Sequence, residues 1–160
     1  ATAIAESVGG TESNFARLMT AKARSLGLRN TQFKNASGLP AYGHYTTAYD
    51  LALLTRYALQ NTTFARIVQT KVKVIPGAGS DQDFSLINHN KLLWQYPYST
   101  GVKTGYTIRA GGCLVASAQH ENTKLIAVVL KSSTIYNDCK SLFDYGFQSS
   151  APVSSLNRRG

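Results

Sequence analysis

Five consecutive residues, Lys103-Thr104-Gly105-Tyr106-Thr107, could do chemistry together. An ammonium group beside a hydroxyl group suits a carboxylate ligand, because both groups donate hydrogen bonds and the ammonium carries the opposite charge. Gly105 would keep side-chain bulk out of a cleft at this point. The triplet Lys-Thr-Gly also arises by chance, and a surface lysine is usually only solvated. An ordinary edge strand is therefore the alternative interpretation of this segment.

Other catalytic and metal-binding patterns are missing from the sequence. His44, His89 and His120 lack the spacing of a metal site, and no Gly-x-Ser-x-Gly nucleophile elbow occurs. Cys113 and Cys139 are too few for a disulfide scaffold, so we expect two small buried apolar residues. One disulfide between them is left open for an exported protein. We therefore expect neither a metal nor a cofactor.

The elements that position Lys103 follow from apolar periodicity and from turn residues. Helices are predicted at residues 1–7, 11–26, 46–60, 62–68 and 136–147, with caps at Thr11, at Thr46 or Thr47, and at Thr62 or Thr63. Strands are predicted at residues 71–75, 99–105, 111–119 and 124–130, and a mobile polar connection at 78–83. Residues 29–45, rich in Asn, Ser, Gly and Pro, form a long ordered loop of the kind that is often functional.

The order of helices, antiparallel sheet and covering helix predicts a mixed α and β layered fold of the α+β class. With 160 residues, the chain is long enough for one hydrophobic core and too short for two domains. We predict one domain at 1–148 and a tail at 149–160. Residues 125–130 are apolar on both faces, which is typical of a central strand with two neighbours. Since only about four strands are visible, we expect the antiparallel sheet to be incomplete.

This sequence resembles the low-molecular-mass penicillin-binding carboxypeptidases, which share the motifs Ser-x-x-Lys, Ser-x-Asn and Lys-Thr-Gly with the serine β-lactamases. The similarity extends beyond Lys103-Thr104-Gly105. Residues 110–118 follow the triplet as they do in that family, residues 29–52 are similar to the segment between its second and third motifs, and residues 142–147 resemble its final domain helix. The resemblance covers about residues 1–148 in the family's order.

The resemblance implies a serine-type D-alanyl-D-alanine carboxypeptidase that trims peptidoglycan stem peptides through an acyl-enzyme and binds β-lactams. It implies a catalytic role for Lys103 and for the backbone N–H of Tyr106, which would donate to the developing oxyanion. Lys103, Thr104, Gly105 and Thr107 would bind the substrate. An extracytoplasmic location, in the periplasm or cell wall, and membrane association of the full-length protein are implied as well.

The acylated serine cannot be assigned, because no Ser in this sequence is followed three residues later by Lys. The only Ser-x-Asn, at 155–157, follows Lys103 instead of preceding it, and we interpret it as fortuitous. Since the chain starts without Met inside the end of a helix, we expect a C-terminal part of the catalytic domain. Missing strands would leave an open edge beside residues 125–130, covered by a second chain with the N-terminal part or by self-association.

Two other functions stay open. The first is a non-catalytic wall-binding or penicillin-sensing module of the same fold. The second follows from the net charge of +9, which favours an anionic partner such as nucleic acid, an acidic lipid surface or an acidic wall polymer. Because the basic residues are scattered without aromatic interleaving, we expect no nucleic-acid partner. No 18-residue apolar stretch predicts a membrane span.

Overall fold

The computed structural model describes residues 1–77 and 82–150. These residues form six helices and five strands, in the order α1 Thr2–Gly9, α2 Glu12–Ser25, α3 Ala48–Ala58, α4 Thr62–Gln69, β1 Val72–Ile75, β2 Phe84–Ile87, α5 Leu92–Gln95, β3 Ser99–Thr107, β4 Gly111–His120, β5 Thr123–Ser132 and α6 Ile135–Ser150. Strands β3, β4 and β5 form an antiparallel sheet in that order, and β1 and β2 form a separate hairpin.

Side-chain caps define where three of the helices begin. Thr11 and Thr47 accept a hydrogen bond from the backbone N–H three residues further on, each at 3.1 Å. These bonds confirm the predicted cap at Thr11 and select Thr47 from the predicted pair Thr46 or Thr47. The predicted cap at Thr62 or Thr63 is wrong, because Asn61 caps α4 by accepting the same type of bond at 3.0 Å. Asparagine is among the strongest N-cap residues, so α4 begins one residue earlier than the threonines suggested.

The main hydrophobic core lies between the three-stranded sheet and α6. Alternate β4 residues, including Leu114 and Ala116, are fully buried and cluster with Cys139 and Phe143 of α6. The alternation of a strand and the spacing of a helix together produce this contact. Leu142, which shares the predicted helical spacing, lies outside the cluster and is 48% exposed.

Helices α3 and α4 pack on the sheet as well, α3 against β5 and α4 against β3. Val68 of α4 lies so close to β3 that a Cβ atom on Gly101 would come within 2.9 Å of Val68 Cγ2. Gly101 also has a φ of 147°, a conformation that other residues rarely adopt. The first of the two β3 glycines is therefore required by the approach of a neighbouring helix.

Strand β5 is an edge strand of the sheet among the described residues. It pairs with β4 on one side, and no described strand pairs with its other side. The apolar sequence predicted a central strand, but β5 is not central among the described strands. The predicted open edge beside residues 125–130 is present. Ala127 is 6% exposed, whereas Leu130 at the far end is 38% exposed. The layered α and β fold is confirmed, with a partial sheet.

Several predictions concern the ends of elements. The run Phe84–Ile87 forms β2, so the described part of the chain has one strand more than the four that the sequence predicted. Most of the predicted mobile connection, residues 78–81, lies outside the described residues, as do 151–160 with the fortuitous Ser-x-Asn. Helix α6 continues two residues past the predicted domain boundary at 148. Among the described helices, none has the length and apolar character needed to cross a bilayer.

Candidate functional site

Strand β3 borders an open cleft of about 910 Å³. All five residues singled out in the sequence, residues 103–107, line this cleft. The opposite wall comes from the loop between α2 and α3, and the floor includes residues of β4, β5 and the start of α6. Among the described strands, β3 pairs only with β4, so its other edge has no strand partner. The structure thus brings the predicted site residues into one concavity.

Lys103 is exposed, and no carboxylate among the described cleft residues competes with an anionic ligand for its ammonium group. Its Nζ donates one hydrogen bond, at 2.6 Å, to the carbonyl oxygen of Thr104. An ammonium group has three donors, so two N–H bonds are left for a ligand. Among the described residues that line the cleft, no Asp or Glu occurs. The positive charge of Lys103 is therefore not neutralised by a carboxylate in the cleft wall.

Gly105 lies beside empty space, in contrast to the tightly approached Gly101. A Cβ atom built on Gly105 would meet no other atom within 4 Å. Packing in this chain therefore does not require glycine at this position. Its missing side chain instead leaves room in the cleft, directly beside the lysine and hydroxyl groups of Lys103 and Thr104.

Tyr106 and Thr107 have different surroundings at the end of β3. The Tyr106 side chain is 76% exposed, and the group predicted to be catalytic at this position is its backbone N–H. Thr107 Oγ1 accepts a hydrogen bond from the backbone N–H of Ala110 at 3.0 Å and so closes the turn into β4. The sequence did not predict this structural role. Because Thr107 Oγ1 acts here as the acceptor, its hydroxyl hydrogen can still be donated to a ligand.

The tip of the opposite wall is held by its own side chains. Asn35 Oδ1 accepts from the backbone N–H of Gly38 at 2.8 Å, and Asn35 Nδ2 donates to the carbonyl oxygen of Leu39 at 2.9 Å. Gly38 has a φ of 82°, in the left-handed region that favours glycine. These contacts give the loop a defined shape where it faces β3.

Asp50 anchors the base of the same loop. This residue is 2% exposed, and its Oδ2 accepts from the backbone N–H of Asn30 at 2.8 Å and from the hydroxyl of Thr31 at 2.7 Å. Its anchoring role was missed because an acidic residue in a first helical turn is explained by the dipole alone. The loop partners lie about twenty positions earlier in the chain and leave no local pattern.

Two of the three histidines line the cleft, His44 and His89. His44 Nδ1 accepts from the backbone N–H of Lys34 at 3.3 Å, and its ring packs edge-on against Phe33. Burial lowers the pKa of His44 below its usual value, which favours the neutral ring that can accept this bond. His44 is therefore part of the loop's internal packing.

His89 stands between two asparagines that bond the backbone. Asn88 Nδ2 donates to the carbonyl oxygen of Thr70 at 3.0 Å, and the 1% exposed Asn90 accepts from the backbone N–H of Leu92 at 3.2 Å. These bonds fix the segment before α5, so its asparagines have structural roles. Within residues 1–77 and 82–150, no group of three potential metal ligands occurs.

The two cysteines are free thiols in different environments. Cys139 is fully buried in the core, and burial, with the charge of Asp138, raises the pKa of its thiol to about 12. Cys113 is only partly buried and lines the cleft opposite Gly105 in the β3–β4 register, so the prediction that it is buried is wrong. A strand residue facing a cleft keeps some exposure whatever its hydrophobicity.

The family model for D-alanyl-D-alanine carboxypeptidases (Peptidase_S11) matches residues 1–134. This chain belongs to that family. Its sequence is 42% identical over 132 residues to the D-alanyl-D-alanine carboxypeptidase DacF of Bacillus subtilis, covering 82% of this chain and 34% of that protein. It is 35% identical over 153 residues to DacC of Escherichia coli, covering 91% of this chain and 36% of that protein.

Solved structures of family members have the same fold. A D-alanyl-D-alanine carboxypeptidase from Mycobacterium tuberculosis superimposes with a TM-score of 0.82 at 28% identity, covering 92% of this chain and 58% of that one. The Streptomyces K15 DD-transpeptidase gives a TM-score of 0.81 at 32% identity, covering 84% and 54%. The chain thus spans about a third of these curated relatives and somewhat more than half of these solved chains.

Proposed function

We propose that this chain supplies the Lys-Thr-Gly side of the substrate cleft in a serine-type D-Ala-D-Ala carboxypeptidase. Lys103 and Thr104 bind the terminal carboxylate of a peptidoglycan stem peptide or the carboxylate of a β-lactam. The backbone N–H of Tyr106 donates to the oxyanion, while Gly105 and Thr107 border the bound chain. The nucleophilic serine and its lysine belong to a segment outside this sequence, since no Ser-x-x-Lys occurs within it.

One observation carries this proposal, the uncompensated ammonium of Lys103 beside unfilled space at Gly105 in the cleft. A D-Ala-D-Ala terminus presents a carboxylate next to the bond that is cleaved. An ammonium and a hydroxyl hold such a group by charge-assisted hydrogen bonds. Because Gly105 has no side chain, the ligand backbone can approach the strand there.

The chemistry that follows is acyl transfer. The serine hydroxyl oxygen attacks the carbonyl carbon of the penultimate D-Ala, its proton passes to a base, and the terminal D-Ala leaves with a proton on its amine. Water then hydrolyses the ester and regenerates the serine. Charge develops on the carbonyl oxygen in both steps, where a fixed N–H donor contributes about 100- to 1,000-fold in rate.

The segment that carries the serine would be held by the free edge of β5. This edge has unpaired backbone groups and an apolar sequence that is typical of a strand with two neighbours. We propose that a second chain with the N-terminal part of the domain adds a strand there. The complete protein would then act outside the cytoplasm, in the periplasm or cell wall, with membrane association.

Fluorescent penicillin labelling tests the proposal. The N-terminal segment of the Bacillus subtilis relative, co-expressed with this chain, should restore a covalent adduct that the isolated chain does not form. Lys103→Ala should then reduce the acylation rate by about 100-fold or more, because an anchoring charge for the ligand is lost. Lys91→Ala, which removes an exposed lysine outside the cleft, is the matched control and should label normally.

A covalent adduct on the isolated chain would contradict the assignment of the serine to another segment. Equal labelling of the Lys103 and Lys91 variants would contradict the role of Lys103 in the cleft. Circular dichroism of both variants before labelling separates a lost contact from a lost fold.

A non-catalytic module of the same fold is the second candidate, favoured by the absence of Ser-x-x-Lys from the sequence. Such a module would bind D-Ala-D-Ala peptides reversibly without any added segment. Titration calorimetry with a peptide ending in D-Ala-D-Ala should then show binding by the isolated chain. The same peptide with an amidated C-terminus is the control and should bind more weakly, because Lys103 loses its carboxylate partner.

A further inference from the structure

A second concavity, which we call the basic groove, lies between α2 and the first part of the 29–45 loop. Its volume is about 530 Å³, and its charged lining residues are Arg17, Arg24 and Lys34. Among the described residues that line it, no Asp or Glu occurs. The basic groove therefore concentrates three positive charges, whereas most basic residues of the chain are scattered.

The two arginines lie on one face of α2. They are seven residues apart, which corresponds to about two helical turns and about 10 Å along the helix axis. A seven-residue separation returns to nearly the same side of a helix, so both guanidinium groups border the same groove. Ser13, Thr20 and Gln32 add polar groups between and beside them.

Hydrogen bonds fix the loop to the helix at the centre of the basic groove. Thr20 Oγ1 accepts from the backbone N–H of Phe33 at 3.0 Å, and it lies 3.2 Å from the Phe33 carbonyl oxygen. Lys34 follows immediately in the chain, so the loop presents this lysine opposite the arginines of α2. A groove that is already formed loses little conformational entropy when a ligand binds.

The three charges are available to a ligand. Arg17 donates one hydrogen bond to Asn14 Oδ1 at 2.6 Å, and four of its five N–H donors are left. The side chains of Arg24 and Lys34 have no hydrogen-bond partner among the described residues. Arginine binds phosphate and carboxylate groups through two parallel hydrogen bonds, so this arrangement suits repeated anionic groups.

We propose that the basic groove binds a linear polyanion without aromatic bases, through phosphate or carboxylate groups spaced along a flexible chain. Phe33 is the one aromatic residue among the described lining residues, and its ring packs edge-on against His44. The groove therefore lacks the row of stacking platforms by which single-stranded nucleic acids are held. Because Phe33 also lines the cleft, the polyanion lies next to the candidate active site.

A charge-matched pair of triple variants tests the site. Arg17→Gln, Arg24→Gln and Lys34→Gln together remove the charges of the basic groove, while Arg56→Gln, Arg66→Gln and Lys71→Gln remove two arginines and one lysine elsewhere on the surface. The affinity for fluorescent inorganic polyphosphate should fall at least about tenfold in the groove variant and less than about twofold in the control. The slope of log affinity against log salt should fall by about two in the groove variant.

Equal losses in the two triple variants would overturn the proposal, because they would show that only the net charge attracts the polymer. Poly-glutamate as a second probe distinguishes carboxylate from phosphate groups as the bound anion. If a single-stranded oligonucleotide of equal charge binds more tightly than both and depends on the groove residues, the exclusion of bases is overturned. If the triple groove variant is unstable, the single variant Arg24→Gln replaces it in the affinity comparison, once its unfolding curve shows that it is folded.

Discussion

The described sheet has two free edges, and they present different surfaces. Strand β3 carries glycine, lysine and threonine along a cleft, while the middle of β5 is a run of six apolar residues, 125–130. A free strand edge offers unpaired N–H and C=O groups that recruit other chains unless something occupies or protects them. The contrast supports the two proposed roles, a ligand at the β3 edge and an added strand at the β5 edge.

The side chains beside each edge support this difference. Near β3, Gly105 leaves open space that packing within the chain does not demand. On β5, Lys124 and Lys131 stand at the two ends of the apolar run. Charged residues that flank an exposed hydrophobic strand limit unspecific pairing. Lys124 and Lys131 therefore limit unspecific pairing at the two ends of the β5 edge, while its apolar middle can pair with another strand.

The largest expected effect concerns the β3 edge, and it is tested by comparing substitutions at two glycines, Gly105 and Gly112. Gly105→Val should change the free energy of unfolding by less than about 1 kcal/mol, because its Cβ meets no atom, yet lower acylation of the complemented protein by about 100-fold. Gly112→Ala in β4 is the matched control. Its Cβ would overlap the Ser132 carbonyl oxygen, so denaturant unfolding should show a loss of about 2 kcal/mol. Similar effects of both changes on stability would mean that the space at Gly105 is not an empty cleft.

Hydrogen exchange tests whether the two edges take different partners. In the isolated chain, outward amides of β3 and β5 should exchange rapidly, since neither edge has a strand neighbour among the described residues. Adding the complementary N-terminal segment should protect β5 amides by about 100-fold, while a β-lactam should protect chiefly β3 amides of the complemented protein. Protection of both edges by the same single partner would remove the distinction.

A smaller effect concerns the wall that faces β3. Asp50→Ala removes the acceptor of one buried and one partly buried hydrogen bond and should lower the free energy of unfolding by about 2 to 3 kcal/mol. Because the loop base is then released, ligand affinity should fall while strand pairing at β5 is kept. Asp83→Ala, an exposed aspartate outside the cleft, is the control for loss of one negative charge. An unchanged unfolding curve for the Asp50 variant would refute its anchoring role.

Local patterns predicted much of the fold. Thr11, and the pair Thr46 or Thr47 of which Thr47 is the cap, were recognised because a cap depends on residues within one turn. Strands β4 and β5 were recognised because strand alternation is a local pattern. The same logic failed at Asn61, where two nearby threonines were equally plausible caps. Leu142 shows that helical spacing gives a face without saying where the partner layer ends.

The sequence predicted only part of the candidate site, because it records contiguous motifs and not contacts between distant residues. Residues 103–107 form one contiguous motif, so sequence alone selected them, and the structure places them in one cleft. The sequence missed the anchoring role of Asp50 and the basic groove, because both depend on residues that are distant in the chain. It missed the cleft-facing position of Cys113, because that depends on which face of β4 is turned outward. No short pattern records such relations.

The sequence by itself determined the family, the Lys-Thr-Gly strand and the alternation of helices and strands, because each follows from neighbouring residues or a contiguous motif. Only the tertiary structure decided that Gly101 is packed against Val68 while Gly105 borders free space, and that Cys113 lines the cleft. The physical reason is that packing and strand pairing join residues far apart in the chain, so their outcome depends on the whole arrangement.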